Sequence, residues 1–440
     1  MKIGIIGTGY VGLTQSVCMA SYLTNHEFIG IDIDETKVDS LNNGIPTIYE
    51  DGLEELLKKD LSQGNLKFSS EYANLVDCQV IFIAVGTPTD DNGIPNLTYL
   101  NKAFDQVVNA IKDVNPEMPR CIVIKSTVPP GTCETLAERV ATYSNLFVVS
   151  NPEYLREGIA LNDFLNPDKV TLGFNNNQKN NVNFNEVVRM MAIIYTPIAE
   201  NKILITDLAT SQMVKYACNS FLAMKIAFIN ELSDLCKVNG ANIEDVAKQM
   251  GYDKRISPLF LQPGPGYGGS CFSKDVRGLC STIPEIANGY SLLRNIENSN
   301  NAHAQRCFLQ ISDYINSNYT KIKNILILGV AFKAGTDDVR YSKALEIANH
   351  IVDLSEGKYN VTIHDPEALS NVYRGDGDLI NYTDCDNEQL VEYLVDADVV
   401  VVLTEWNQYK QLFSSSPTRE NQAVFDFRNI VPKRFNPIKY

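Results

Sequence analysis

The sequence predicts an α/β protein with two doubly wound domains joined by a long central helix. Short apolar runs alternate with longer amphipathic stretches in the first 200 residues, and the same alternation returns after about residue 320. Some 30 residues between these regions have the pattern of one buried helix. We therefore expect an N-terminal domain at 1–200, a central helical region at 201–315 and a C-terminal domain at 316–440.

Both sheets are predicted from short apolar runs, which are typical of parallel strands buried on both faces. In the N-terminal domain, strands are expected at Ile3–Ile6, Phe28–Ile31, Val80–Ala84, Ile122–Ile124, Phe147–Val149 and Val170–Leu172. In the C-terminal domain, they are expected at Asn324–Leu328, Asn360–His364, Val399–Leu403 and Ala423–Phe427, with a helix near Ser342–Leu354.

The central helix is expected to begin after Asp207, which can cap it, and to end near Gly240. Its segment from Met213 to Ile229 is apolar on most faces, so most of its surface should be buried. A helix of this kind could also form the core of a dimer, and we expect a homodimer through it.

Composition limits the class of protein. The formal net charge is −15, which argues against a nucleic-acid or anionic-membrane partner because both require a basic surface. Ten cysteines without a CxxC spacing indicate reduced thiols, and the sequence suggests no metal site. The N-terminus lacks the pattern of a signal peptide, and no apolar run approaches the ~20 residues of a membrane span. We expect a cytoplasmic protein.

The segment from Met1 to Asp32 has the pattern of a β-α-β unit that binds a dinucleotide. A strand leads into GTGYVG at residues 7–12, a helix follows, and the next strand ends on Asp32, twenty residues after Gly12. Gly7 permits the tight turn, Gly9 lets the backbone approach the pyrophosphate, and Gly12 permits close packing of helix against strand. Asp32 suits a ribose 2′-hydroxyl and would repel a 2′-phosphate. The sequence therefore predicts a Rossmann-like domain that binds NAD rather than NADP.

Three later strand ends carry polar residues. Ligands of open α/β sheets bind beyond the carboxyl ends of strands, so Thr87 in VGTPTD and Thr127 in KSTVPPGT are candidate contacts on the nicotinamide side. Ordinary Thr-Pro turn chemistry is the alternative. Glu153 and Glu157 in NPEYLREG are four residues apart, and a carboxylate at a strand end can act as a base. Here the alternative is a pair of solvated surface glutamates.

Cys271 lies in the most distinctive segment, PGPGYGGSCFSKD at residues 263–275. Glycines allow close approach to the cysteine, and a helix beginning here would favour the thiolate. Lys274 and Asp275 would then lie one turn away. The alternative is an inert cysteine in a glycine-rich bend.

Lys215 and Asn219 are four residues apart on the central helix and therefore share one of its faces. A lysine in an apolar run must be paired or face a polar cavity, and with Asn219 it could stabilise an oxyanion. The alternative is a lysine that extends to solvent beside the amide. A dehydrogenase that also carries an activated cysteine can oxidise an aldehyde to the acid, because the thiol adduct loses hydride to give a thioester.

At the level of motifs, the chain resembles the UDP-glucose/GDP-mannose dehydrogenase family. The resemblance extends over nearly the whole length and rests on IGTGYVGL, IPTIYEDGLEELL, VGTPTD, KSTVPPGT, NPEYLREG, KYACNSFLAMKIAFINE, PGYGGSCFSKD, GVAFKAGTDDVR, LTEW and FDFRNI. It implies a four-electron oxidation of UDP-glucose to UDP-glucuronate with two NAD⁺.

The resemblance also implies roles for individual residues. Cys271 would be the nucleophile, and Glu153 the acid/base in thioester hydrolysis. Proton transfer, water and the oxyanion would be handled by Lys215, Asn219, Asp275 and Thr127. The residues expected to contact NAD are Gly7, Gly9, Tyr10, Val11, Gly12, Asp32, Lys37, Thr87, Thr127, Glu157, Lys274 and Arg340. Those expected to hold the UDP-sugar are Glu153, Tyr154, Leu155, Arg156, Lys215, Asn219, Arg255, Phe260, Leu261, Gln262, Pro263, Gly264, Gly268, Lys333 and Arg428. Arg255 would reach across a dimer interface centred on the long helix.

Three positions depart from the family pattern. Ser273 and Lys343 stand where many relatives have proline, and Phe427 replaces a glycine just before Arg428. The last change could reshape the sugar pocket. Three other functions remain open: a GDP-mannose or UDP-hexosamine dehydrogenase, a two-electron hydroxyacid dehydrogenase, and a regulatory protein that binds nucleotides. LTEW and GGSCFSKD favour the UDP-glucose branch, and the GGHC that is usual in hexosamine relatives is absent.

Overall fold

The computed structural model describes residues 1–90, 93–283, 291–372 and 380–439. The chain forms two compact units, Met1–Cys218 and Asn219–Tyr440, each with its own hydrophobic cores. The long helix α8 (Leu208–Asn239) begins in the first unit and continues into the second.

The described part of the first unit contains an eight-stranded sheet in the order β3-β2-β1-β4-β5-β6-β7-β8. Its strands are β1 (Lys2–Ile6), β2 (Glu27–Ile31), β3 (Leu66–Ser69), β4 (Val80–Ile83), β5 (Arg120–Ile124), β6 (Leu146–Ser150), β7 (Val170–Phe174) and β8 (Ile203–Asp207). The helices before α8 are α1 (Tyr10–Tyr22), α2 (Glu35–Asn42), α3 (Leu53–Gln63), α4 (Thr98–Ile111), α5 (Thr132–Arg139), α6 (Ala160–Leu165) and α7 (Phe184–Ala199).

Strand β1 lies at the centre of this sheet, between β2 and β4, and pairs with both in parallel. Successive residues of β1 enter different cores: Ile3 and Ile5 pack into one, and Ile6 packs into another. The chain builds the sheet outward from β1 in one direction and then returns to β4 on the other side. The carboxyl ends of β1 and β4 therefore form the switch point where ligands of such sheets bind.

The described part of the second unit contains a five-stranded parallel sheet in the order β11-β10-β9-β12-β13. Its strands are β9 (Asn324–Leu328), β10 (Asn360–His364), β11 (Ile380–Thr383), β12 (Val399–Val402) and β13 (Ala423–Asp426). The helices after α8 are α9 (Ile243–Tyr252), α10 (Gly269–Cys280), α11 (Leu292–Ser317), α12 (Lys343–Ser355), α13 (Asn387–Asp396) and α14 (Asn407–Ser415).

The structure confirms the two α/β domains and the long helix. Asp207 caps α8 as expected, with its Oδ1 accepting from the Thr210 amide at 2.8 Å, and Gly240 follows the helix with φ of +68°. The first sheet differs from a fully parallel one at a single junction, because β7 pairs with β6 in the antiparallel sense. No helix in the described ranges is long and apolar enough to cross a membrane.

Candidate active site

The glycine turn after β1 has the geometry that a pyrophosphate requires. Gly7 has φ of +89°, and a Cβ there would lie 2.9 Å from the Ala84 carbonyl oxygen. A Cβ on Gly12 would lie 1.8 Å from the Gly7 carbonyl oxygen, so the helix can approach the strand only with glycine. A Cβ on Gly9 would meet no protein atom within 4 Å. Backbone N–H groups at the start of α1 are therefore accessible to a phosphate.

Asp32 follows β2 and is tied to this turn. Its Oδ2 accepts from the backbone N–H of Thr8 at 2.8 Å and from the Thr8 hydroxyl at 2.7 Å, and its Oδ1 accepts from the Asp34 amide at 3.1 Å. The side chain stays half-buried, so the carboxylate is fixed and still reachable. Asp34 in turn caps α2, whose first turn contains Lys37. The residues present thus fit an NAD ribose at the edge of the glycine turn.

Glu50 joins the glycine turn to the segment that follows β6. One oxygen accepts from the Tyr10 hydroxyl and from the Gly158 amide at 2.8 Å, and the other accepts from the Ala160 amide at 2.6 Å. Glu50 is buried, and although it lies in the motif IPTIYEDGLEELL, the sequence alone predicts no role for it. It fixes Tyr10 relative to the start of α6.

Glu153 and Lys215 form a buried ion pair in the first unit. Lys215 Nζ lies 2.8 Å from Glu153 Oε1, and both side chains are almost fully buried. Burial alone would raise the pKa of Glu153, but Lys215, the Leu155 amide and Lys125 together outweigh it and hold the pKa below its usual value. Glu153 is therefore a carboxylate, and Lys215 is buried and paired with it rather than extended to solvent.

Tyr154 and Arg156 flank this pair. The Tyr154 ring lies under two ammonium groups, with Lys169 Nζ 4.5 Å and Lys215 Nζ 5.5 Å from its centroid. Arg156 makes a two-pronged ion pair with Asp163, with Nε–Oδ2 at 2.8 Å and Nη2–Oδ1 at 2.6 Å. Tyr154 thus lies beside the Glu153–Lys215 pair, whereas Arg156 is held by α6.

Thr87 and Thr127 are brought together at the carboxyl ends of β4 and β5. The Thr87 hydroxyl donates to the Thr127 carbonyl oxygen at 2.8 Å. Lys125, at the start of the same KSTVPPGT motif, is buried with its ammonium 3.1 Å from Asn151 Oδ1. Burial lowers the pKa of Lys125 to about 7, with Glu153 acting in the opposite direction. Nothing in the motif itself marks Lys125 as a functional residue.

In the second unit, Cys271 is the third residue of α10 and is half-buried. The segment before it is tightly enclosed: a Cβ on Gly268 would lie 2.6 Å from the Tyr341 carbonyl oxygen, and one on Gly269 would lie 2.9 Å from the Phe332 ring. Gly269 also has φ of +78°. The glycines therefore allow the chain to enter α10 beneath Phe332 and place the thiol in the first turn. A helix N-terminus is the setting that favours a thiolate.

Asn219 and Asp275 meet beside this first turn. Asn219 Nδ2 donates to Asp275 Oδ2 at 2.6 Å, and both side chains are buried. The other oxygen of Asp275 accepts from Lys274 Nζ at 2.5 Å. Because Asp275 is one turn after Cys271 on α10, the polar groups that the sequence predicted for chemistry in this unit form one cluster.

Arg428 and the loop 260–264 also come together in the second unit. A Cβ on Gly264 would lie 2.8 Å from Arg428 Nη1, so a side chain at this position would have to displace the guanidinium. Arg428 donates through Nε to the Leu403 carbonyl at 2.7 Å and through Nη2 to the Phe332 carbonyl at 3.1 Å. Phe260 has φ of +63°, a strained conformation of the kind found at ligand sites.

Three more residues predicted to bind ligands, Lys333, Arg340 and Arg255, lie in the second unit near side chains of their own neighbours. Lys333 Nζ lies 5.6 Å from the centroid of the Phe332 ring. Arg340 is bidentate with Asp338, with Nη2–Oδ2 at 2.7 Å. Arg255 pairs with Asp253 and leaves 89% of its side chain exposed.

Two of the three departures from the family pattern make side-chain contacts that glycine and proline have no group to make. Phe427 is fully buried and stacks on Phe425 with ring centroids 6.3 Å apart, so its ring belongs to the core of the C-terminal sheet. Lys343 pairs with Glu346 at 2.5 Å in the first turn of α12. Ser273 is buried within α10.

Comparison with known proteins agrees with both units. Models of the UDP-glucose/GDP-mannose dehydrogenase family match residues 1–199 (NAD binding domain), 209–302 (central domain) and 326–433 (UDP binding domain). The chain is 39% identical to a UDP-glucose 6-dehydrogenase of Rickettsia conorii over 436 residues, covering 98% of this chain and 96% of the relative. It is 36% identical to one from Bacillus subtilis, covering 98% and 93%.

A solved structure is similar throughout. A UDP-glucose dehydrogenase from Pyrobaculum islandicum superimposes with a TM-score of 0.83 at 31% identity, covering 100% of this chain and 96% of that one. The fold, the glycine turn and the family matches together define an NAD-dependent dehydrogenase. The chain belongs to the UDP-glucose/GDP-mannose dehydrogenase family, which confirms the resemblance seen in its motifs.

Proposed function

We propose that this protein oxidises UDP-glucose to UDP-glucuronate and reduces two NAD⁺ in each turnover. The observation that carries the proposal is the half-buried Cys271 in the first turn of α10, beside the hydrogen-bonded pair Asn219–Asp275. A simple alcohol dehydrogenase needs no thiol at its site. An aldehyde can be oxidised further only after a nucleophile has added to it, and Cys271 is suited to that step.

The chemistry proceeds in four balanced steps. The C6 alcohol loses a hydride and a proton to give an aldehyde. The Cys271 thiolate adds to the aldehyde carbon and forms a thiohemiacetal, whose oxygen Asn219 stabilises by hydrogen bonding. Loss of a second hydride and of the hydroxyl proton turns the thiohemiacetal into a thioester. Water then breaks the C–S bond, which releases the carboxylate and a proton and restores the thiol. When bound, NAD⁺ accepts one hydride in each of the two oxidations.

Proton transfer and charge stabilisation are assigned to two buried pairs, Lys215–Glu153 and Asn219–Asp275. We assign Lys215 and Glu153, which are paired at 2.8 Å, to oxyanion stabilisation and to base catalysis of thioester hydrolysis. Glu153 suits the second role because its lowered pKa keeps it ionised. Asp275 fixes the Asn219 amide for the oxyanion, and Thr127 helps position the water.

Binding is divided between the three regions at 1–200, 201–315 and 316–440. NAD is assigned to the glycine turn, Asp32 and the other residues predicted for it. The UDP-sugar is assigned to Lys333, Arg428, the loop 260–264 and the remaining predicted residues. The contact of Arg428 with Gly264 supports this assignment, because it joins two separately predicted parts of one pocket.

The test is a panel of UDP- and GDP-sugars assayed for NADH release, with product analysis. UDP-glucose should be preferred, and two NADH should form for each uronate. A ratio of one would refute the thioester route. Preferential turnover of GDP-mannose or a UDP-N-acetylhexosamine would reassign the substrate within the family.

We further propose a homodimer through α8. Phe221, Phe228 and Leu235 recur every seven residues along this helix, and each exposes half or more of its surface. Apolar residues seven positions apart lie on one face of a helix, where they can pack against another helix. A second copy of α8 presents the same apolar face, so the two copies can pack against each other. Arg255, with its exposed side chain, is then available to a partner's sugar site. Phe228→Glu should convert the dimer to a monomer in sedimentation analysis, whereas the exposed Val238→Glu at the end of the helix should not.

We also propose a cytoplasmic location. None of the ten cysteines forms a disulfide, and Cys271 must remain reduced to react. This usage suits a reducing compartment. Cell fractionation should recover the protein with the cytoplasm, and recovery with membranes or outside the cell would contradict the proposal.

A further inference from the structure

Lys125 is a second buried lysine in the first unit, close to the Glu153–Lys215 pair but without a role in the chemistry above. It follows β5 directly, and only 5% of its surface is exposed. Its ammonium donates to Asn151 Oδ1 at 3.1 Å and to the Tyr195 hydroxyl at 3.4 Å. A buried ammonium is costly unless it is paired, so its retention here needs a reason.

Asn151 connects Lys125 to the segment that carries Glu153, two residues later in the chain. Asn151 Oδ1 accepts from the Tyr195 hydroxyl at 2.5 Å as well as from Lys125. Its Nδ2 donates to the Thr171 carbonyl on β7 at 2.9 Å, and its backbone N–H donates to the Ile124 carbonyl on β5 at 2.9 Å. The residue is thus held from both neighbouring strands, and it fixes the point at which the chain leaves β6 towards Glu153.

Charge links the same groups. Lys215 is paired directly with Glu153, and Lys125 adds a second positive charge that also lowers the pKa of Glu153. Burial is the main cause that lowers the pKa of Lys125, to about 7. Glu153 acts to raise this pKa, and Lys215 acts to lower it further. Other titratable groups around this cluster include Tyr195 on α7, with Tyr22 on α1 behind it, and Tyr154 with Lys169 and Cys218. Burial raises the pKa of all three tyrosines, so they stay neutral.

We propose that Lys125 is a positioning residue that holds Glu153 in place and in its ionised form for thioester hydrolysis. This inference rests on the proposed function, in which Glu153 is the base. It assigns to Lys125 an effect on the second half of the reaction, because the first oxidation does not require Glu153 as a base.

The test compares three variants in the oxidation of the sugar nucleotide aldehyde, measured as kcat against pH. Lys125→Met removes both the charge and the hydrogen bond. Lys125→Gln removes the charge and keeps a donor for Asn151. Tyr195→Phe keeps the charge and removes a hydrogen bond from the same cluster. The first oxidation, measured with UDP-glucose in a single turnover, serves as the internal reference.

The sign follows from the charge. Removing a cation raises the pKa of Glu153, so the acid limb of the profile should move to higher pH in Lys125→Met and in Lys125→Gln. A neighbouring charge typically shifts such a pKa by about one unit or more, which is a roughly tenfold loss of rate on the acid limb. At pH values above the acid limbs of both the wild type and the variant, Lys125→Gln should recover most of the rate. Tyr195→Phe should leave the position of the limb unchanged.

The outcomes distinguish a failure of the role proposed for Lys125 from a failure of the proposed function. The role of Lys125 would be overturned if the acid limb of the kcat profile did not move in Lys125→Gln. It would also be overturned if Tyr195→Phe moved the acid limb as far as Lys125→Gln does. If wild-type protein fails to reduce NAD⁺ with UDP-glucose, the proposed function itself fails, whatever the variants do. Thermal unfolding of each variant shows whether Lys125→Met has lost its fold, in which case Lys125→Gln decides.

Discussion

Gly9 and Gly12 are three positions apart in the same turn, yet their replacement by alanine should affect the stability of the fold differently. Gly9 has φ of −72° and ψ of −168°, a conformation open to any residue, and a Cβ there meets no protein atom within 4 Å. Gly9→Ala should therefore leave the free energy of unfolding unchanged or raise it by up to about 1 kcal/mol, because alanine restricts the unfolded chain. The same methyl group would stand where the pyrophosphate approaches the backbone.

The magnitude follows from the contacts at stake. Hydrogen bonds to a charged group contribute roughly 1.5–3 kcal/mol each, so displacing the phosphate from one of them should weaken NAD binding by about 10- to 150-fold. Gly12→Ala is the matched control. Its Cβ would lie 1.8 Å from the Gly7 carbonyl oxygen, so the turn must open by more than an ångström and stability should fall by about 1–3 kcal/mol.

The assay combines urea unfolding with titration of NAD followed by protein fluorescence or calorimetry. Gly9→Ala should lose affinity with its unfolding midpoint intact, and Gly12→Ala should lose both. If Gly9→Ala binds NAD as tightly as the wild type, the cofactor does not lie over this turn and the assignment is wrong.

Three other variants probe the site. Cys271→Ser should bind UDP-glucose normally but stop at the aldehyde; unchanged NADH yield in that variant would exclude Cys271 as the nucleophile. Asp32→Ala should weaken NAD and narrow its advantage over NADP, because the charge that repels a 2′-phosphate is gone; equal discrimination by kcat/KM would contradict this. Glu50→Gln replaces one of the two accepting oxygens with an N–H₂ group, which would face a backbone N–H donor. The free energy of unfolding in urea should therefore fall by about 1–3 kcal/mol. A neutral result would show that Glu50 does not fix the turn.

Much of the fold follows from local sequence, because a strand buried on both faces must be apolar throughout. β9 and β10 begin and end where the apolar runs do. Three edge strands were not predicted. β3 alternates buried and exposed residues, β8 exposes Leu204 and Ile205, and β11 carries the polar sequence INYT. The direction of β7 was also beyond prediction, because pairing direction depends on a partner chosen by the whole sheet.

The candidate site divides in the same way. The glycine turn and the Cys271 segment carry their constraints within a dozen residues, so their spacing alone suggests their chemistry. Glu50 accepts from amides 108 and 110 residues away, and Lys125 depends on Tyr195, 70 residues away. Neither residue has a local signature, since a buried charge is recognised only once its partners are known.

The second unit repeats the first in one detail, and the repetition has a different outcome. β10 is followed by Asp365, the counterpart of Asp32 after β2, but Asp365 is fully buried. Its Oδ2 accepts from the Val330 and Ala331 amides at 2.8 and 3.0 Å, and its Oδ1 accepts from two further backbone amides. Asp32 also accepts from backbone amides, but it keeps part of its surface exposed, whereas Asp365 has no exposed surface. The same architecture therefore occurs in both units, but only in the first does the aspartate after the strand keep an exposed edge that a ribose hydroxyl can reach.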